Sequence, residues 1–186
     1  SKHYDELQRR LEKYEIHLLD KEPFLIDEYA FIGNCGWFDG SLWKSEYPSF
    51  PNCDSLDGVK KRCRSHIEYE NFKKISPFDF EPDDFFDHNY SQIKEHLKQT
   101  TENESIKKVV LGIHHVPSED FVTYREGNSN KDKQLNYLSY FGGSKKFEKF
   151  YKNDKVVLGL TGHTHRNRQQ KIGDTPVHNI SCTEEK

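Results

Sequence analysis

The sequence predicts an α/β fold, and two observations carry that prediction. Two apolar runs, Val-Val-Leu-Gly-Ile at 109–113 and Lys-Val-Val-Leu-Gly-Leu at 155–160, are continuous rather than alternating, which is the pattern of buried strands. Helical spacing precedes each run, over 89–99 and over 144–152, where Phe147, Phe150 and Tyr151 fall on one inward side. Buried strands separated by helices indicate an α/β architecture.

Over residues 2–15, Tyr4, Leu7, Leu11 and Tyr14 recur at three- and four-residue spacings and form the apolar stripe of an amphipathic helix. Short extended runs follow at 16–19, 24–26 and 29–32, with turn chemistry at 20–23 and at Asp27-Glu28, so a hairpin or meander is expected. Residues 33–40 (Gly-Asn-Cys-Gly-Trp-Phe-Asp-Gly) hold three glycines and must be a loop, where the backbone comes close to a neighbour or turns with positive φ. Residues 44–58 continue irregular, with Pro48, Pro51 and Gly58. A helix is expected over 59–74, and the acidic, aromatic stretch 76–87, with its two prolines, as a loop or linker. Lys171-Ile172 and residues 176–181 form a last hairpin around Gly173-Asp174.

Composition narrows the class. The chain has 186 residues, 33% of them hydrophobic and 32% charged, yet 13 Phe, 10 Tyr and 2 Trp supply bulk that disordered chains lack. A formal net charge of -3 gives no global field for nucleic acid, and the basic cluster at 60–64 reads as a solvated helix face. Cys35, Cys53, Cys63 and Cys182 form no Cys-x-x-Cys pair, which argues against a zinc ribbon or a disulfide scaffold. With no signal peptide and no apolar stretch near the ~20 residues needed to span a bilayer, a reducing cytoplasm is the default expectation. The sequence has no Met, where about four are ordinary at this length, and it opens inside the first helical turn. These features suggest part of a longer gene product, or methionines replaced by a modified residue.

The chemistry lies in the histidines. Four of the ten fall in two tight groups: His114 and His115 directly after Ile113, and His163 and His165 just after Leu160, with Thr161 and Gly162 between. Ligands in open α/β sheets bind at the carboxyl ends of strands, so two adjacent strands ending in histidine would bring three or four imidazoles together. A His-x-His pair in an extended segment sends both rings to one face, which suits two nitrogens on one metal or one on each of a close pair. Gly162 would permit a sharp exit from the strand, and Thr164 would point away and brace the loop. Imidazole suits Zn, Fe, Ni and Mn better than Mg or Ca.

The two strings that carry these histidines are Val-Val-Leu-Gly-Ile-His-His-Val-Pro-Ser (109–118) and Val-Val-Leu-Gly-Leu-Thr-Gly-His-Thr-His-Arg (156–166). They resemble the fourth and fifth motifs of the calcineurin-like metallophosphoesterases, an apolar strand followed by His-x-x-Pro and an apolar strand followed by Gly-His-x-His. The resemblance implies two packed mixed sheets flanked by helices, of which residues 1–186 would be a single partial domain, the C-terminal portion. It implies two divalent metal ions of Mn, Fe, Zn or Ni type, with His114, His163 and His165 as ligands, the last two on different ions. His115 would be an outer residue or substrate-facing. The implied reaction is hydrolysis of a phosphomonoester, phosphodiester or nucleotide-like substrate by a metal-bound hydroxide.

The family's Asp-x-His, Gly-Asp and Gly-Asn-His-Asp motifs do not occur here, and Gly33-Asn34-Cys35 is not a copy of the last of them. Three neutral imidazoles cannot balance two divalent cations or bridge them at ~3.5–4 Å, which takes carboxylate or hydroxide oxygen. A complete site therefore needs ligands from elsewhere. Arg166 is a candidate for the substrate phosphate or, equally, for a structural ion pair. Asn34, Trp37 and Asp39 are candidates for lining the substrate pocket, against a plain turn with a packed Trp. Residues 41–90 are long for a connection and are expected as a cap or substrate-lining insertion. The rival reading is a noncatalytic scaffold on the same fold without the N-terminal ligands. A third is a mononuclear histidine site of unrelated chemistry.

Overall fold

A computed structural model describes residues 2–63 and 82–181. The elements are helix α1 (Lys2–Glu12), strands β1 (Phe24–Ile26) and β2 (Tyr29–Asn34), helices α2 (Leu56–Cys63) and α3 (Pro82–Glu102), strand β3 (Lys108–Ile113), helices α4 (Asn130–Leu138) and α5 (Glu148–Tyr151), and strands β4 (Val156–Thr161), β5 (Arg168–Ile172) and β6 (Thr175–Asn179). Single 3-10 turns lie at Glu119–Phe121, Ser139–Phe141 and Lys145–Phe147. The strands form one mixed sheet in the order β1-β2-β3-β4-β6-β5. β2, β3, β4 and β6 run parallel, and the hairpin partners β1 and β5 run antiparallel at the two edges. This is the expected α/β class.

Side-chain alternation gives the sheet two unlike faces. One is sealed: Ala30, Ile32, Val109, Leu111 and Ile113 are all 0% exposed, packed with Phe86, Ile93 and Leu97 of α3 and with Phe147, Phe150 and Tyr151. On the other face, register sets Phe24, Phe31, Val110 and Leu158 in one row across four strands, and every one of them is only half-buried. The continuous apolar runs thus have two apolar faces, one fully buried and one partly exposed. The stripe on α1 is similarly open, with Leu7 exposed and Leu11 half-buried.

A second apolar cluster joins Phe38, Cys53 and Val59 to Tyr137, Tyr140 and Phe141, fastening part of the 41–63 stretch and α2 to α4. Tyr124 Oη donates to the Leu42 carbonyl at 2.6 Å, Asn136 Nδ2 donates to the Pro48 carbonyl at 2.7 Å, and Glu119 pairs with Lys44 at 3.1 Å. Arg62, in the basic cluster, lies over the Phe50 ring at 4.4 Å.

Several sequence expectations are corrected. Residues 16–19 form no strand; they lie in the turn-rich stretch leading to β1. α2 begins earlier than expected and is described to Cys63, and the rest of the expected 59–74 helix lies outside the described residues, as does 76–81 of the expected linker. Residues 82–87 are helical, not linker. Pro82 fits a helix's first turn, where its missing N–H is no loss, so this proline starts α3 instead of breaking a helix. No helix among the described residues is long and apolar enough to cross a membrane.

Candidate functional site

Pairing of β3 with β4 brings both histidine groups to one end of the sheet. The link continues past the strands: Gly162 N–H and Thr161 Oγ1 both donate to the His114 carbonyl, at 2.9 and 3.1 Å. The rings then meet. His163 stacks on His115 with centroids 4.2 Å apart, and His114 stands edge-on to both, at 5.5 Å from His115 and 5.3 Å from His163.

The His-x-His segment is not extended, which corrects the alternation argument. Thr164 N–H bonds back to the Gly162 carbonyl at 2.7 Å around His163 at φ 63°, the rarer and strained form of γ-turn, and His165 follows at φ 53°. Non-glycine residues held at positive φ cost of order 1–3 kcal/mol each and persist only where surrounding structure fixes them. Here Asn179, buried at the end of β6, does the fixing: its Nδ2 donates to Thr164 Oγ1 at 2.5 Å and to the Arg166 carbonyl at 2.7 Å. Thr164 braces the loop as expected. Gly162 serves differently from the sharp exit expected of it. Its φ is not positive, and a Cβ there would sit 3.1 Å from His114 Nδ1, so glycine makes room for the ring.

Electrostatics keep the cluster neutral. His115 Nδ1 lies 2.7 Å from the Cys35 carbonyl oxygen, so Nδ1 carries the proton and Nε2 the lone pair. Burial holds the His115 ring well below the usual imidazole range, and His163 next to it adds to the effect. Burial, then the charges of His114 and His165, take His163 down to about 4, against a hydrogen bond to the Phe141 backbone that favours the proton. His114 is also lowered, by partial burial and by His165. At neutral pH these rings are uncharged electron-pair donors. Tying one ring nitrogen to a backbone group while the other stays basic is how metal-binding histidines are commonly oriented.

The donor chemistry therefore suits a cation, but the set is incomplete. Among the described residues, no three His, Cys, Asp or Glu side chains come together so as to hold a metal ion. Two hollows flank the His163–His165 turn. A cleft of about 370 Å³ on one side is lined by His163, His165 and Arg166 together with Thr123, Leu135 and Phe141, among others. A more open hollow of about 430 Å³ on the other side includes His114, Gly162 and Ile180. Among the described residues, no Asp or Glu lines either hollow.

The other candidates separate. Arg166 Nη1 donates to Thr123 Oγ1 at 2.7 Å, a hydrogen bond to a hydroxyl rather than an ion pair, on the wall of the cleft. Trp37 packs on His115, with centroids 5.2 Å apart, and so supports the cluster from beneath. Asn34 and Asp39 are spent on the fold. Asn34 donates to the Asn89 carbonyl and to Gln92 Oε1 while accepting from Gly36 N–H, and Asp39 accepts from Ser41 N–H and pairs with Lys146. Neither lines the two hollows. Sequence reading missed Thr123, Phe141 and Asn179; no motif marks them, because their roles come from chain crossings far from the histidine strings.

No protein-family model matches the chain, and no curated protein matches it in sequence. Among solved structures it is similar to the crystal structure of phosphopantetheinyl hydrolase (PptH) from Mycobacterium tuberculosis, with a TM-score of 0.59 and 13% identity. That likeness is one of fold. It covers 96% of this chain but 59% of the other, so the chain spans less than two thirds of that enzyme's length. The mixed α/β sheet described above is thus shared with a hydrolase.

Proposed function

We propose that this chain supplies the histidine side of a metal-dependent phosphoesterase site of the calcineurin-like type. The observation that carries the reading is the meeting of neutral imidazoles from the ends of two adjacent parallel strands, with ring centroids 4.2–5.5 Å apart. Fold likeness to a hydrolase supports it.

In this reading His114, His163 and His165 hold two divalent cations together with carboxylates from outside the described residues. The ions, when bound, supply the positive charge that activates water and balances the phosphoryl oxygens. His115, locked by the Cys35 carbonyl, packs beneath His163 and fixes its ring. Arg166, seated on Thr123, orients the phosphoryl group through its remaining N–H donors.

The noncatalytic reading also has an observation in its favour: no complete metal-holding group exists among the described residues. One experiment separates the two. In the full-length protein, His163→Ala and His165→Ala should each reduce metal-stimulated cleavage of an aryl phosphate by at least ~100-fold, the scale of losing a centre that activates water. Full activity in either variant contradicts the proposal, and absence of metal-stimulated cleavage in the unaltered protein favours the scaffold.

A further inference from the structure

The two hollows beside the His163–His165 turn differ in chemistry, and the difference bears on the substrate. His114 lines only the open hollow, whereas Arg166 lines only the cleft. The far wall of the cleft is apolar: Phe121 and Phe141 are buried, and Leu135 and Leu138 come from α4. Its side-chain hydroxyls are partly engaged. Thr123 Oγ1 accepts from Arg166 at 2.7 Å and from Arg168 at 3.0 Å, and Ser139 Oγ donates to the Asn136 carbonyl at 2.6 Å. Ribose hydroxyls set against those four apolar side chains would lack partners there, at a cost of about 1–3 kcal/mol for each one left unpaired. An uncharged apolar group would not.

Resting on the phosphoesterase reading, we infer that the cleft receives the apolar organic portion of the substrate, with its phosphoryl group between the histidines and Arg166. The substrate class is then a phosphoester of an apolar alcohol or phenol, not a nucleotide. The volume of about 370 Å³ falls within the range of small-molecule pockets and suits one compact group. Residues 121–123 and α4 set the size of that group.

The test uses two phosphonates that share a headgroup and cannot be hydrolysed, benzylphosphonate and methylphosphonate, binding to the full-length protein with Mn²⁺ in calorimetry. The unaltered protein should bind the benzyl compound at least ~10-fold more tightly, as expected for burying one apolar ring. Leu135→Trp, which fills the cleft, should erase that difference by weakening benzylphosphonate binding. Leu138→Trp, at the exposed rim, should do the same with less risk to folding. Equal affinities in the unaltered protein, or a preference that survives both variants, overturn the inference. The phosphoesterase reading fails separately, if neither phosphonate binding nor aryl phosphate cleavage depends on metal or on His163.

Discussion

Two glycine-containing loops leave parallel strands at the same end of the sheet, and they spend their residues in opposite ways. The loop after β2 directs its polar groups inward: Asn34 ties it to α3, Asp39 closes a turn, and the left-handed positions are held by Gly36 and Gly40; a Cβ at Gly36 would come within 2.6 Å of Ile113 Cγ2. The loop after β4 places histidines, not glycines, at its left-handed positions and turns them toward two hollows. Glycine at strained backbone removes the strain, while histidine keeps it. The first loop is built for stability, and the second carries strain that stability alone does not require.

Experiments on each loop separate the two roles. Acid should destabilise the histidine loop. His163 titrates near 4 in the folded chain and near 6.5 when unfolded, so protonation favours the unfolded state; stability is flat above about pH 6.5 and falls as pH drops toward 4. From His163 alone the loss is on the order of 3 kcal/mol, and urea melts of the unaltered protein and of His163→Gln between pH 4 and 7 should converge as pH falls. A pH-independent gap between them counts against a buried neutral imidazole. In the other loop, Gly36→Ala combines left-handed strain with overpacking and should cost about 2–3 kcal/mol, read in the same melts at pH 7.5.

A smaller effect should come from Asn34→Ala, which leaves Gly36 N–H and α3 acceptors without their partner and should cost about 1–2 kcal/mol. Metal affinity per folded molecule should not change. The reverse is expected of His165→Gly: relief of positive φ at an exposed position should stabilise the fold by about 0.5–1 kcal/mol while abolishing metal-stimulated cleavage. If Asn34→Ala selectively weakens metal binding, or His165→Gly destabilises, the division between the two loops is wrong.

What the sequence revealed, and what it hid, follows the same physics. The runs at 109–113 and 155–160 were legible as strands because burial demands apolar residues, and the histidines were legible because they end those strands. The partial exposure of Val110 and Leu158 was not, since an apolar residue reads the same in sequence at either degree of burial. Pro82 misled because proline both ends and begins helices. The turn at His163 was hidden too, as nothing in Gly-His-Thr-His signals that histidines take the left-handed positions while Gly162 yields space to His114. Asn179, which pins that turn, reaches it only through the β4–β6 pairing.

Whether these histidines form one side of a two-metal site is decided by counting metal. Full-length protein incubated with Mn²⁺ and desalted should retain two ions per chain, and the double variant His163→Ala/His165→Ala should retain fewer than one. Retention of no metal by the unaltered protein, or equal retention by the double variant, contradicts the claim.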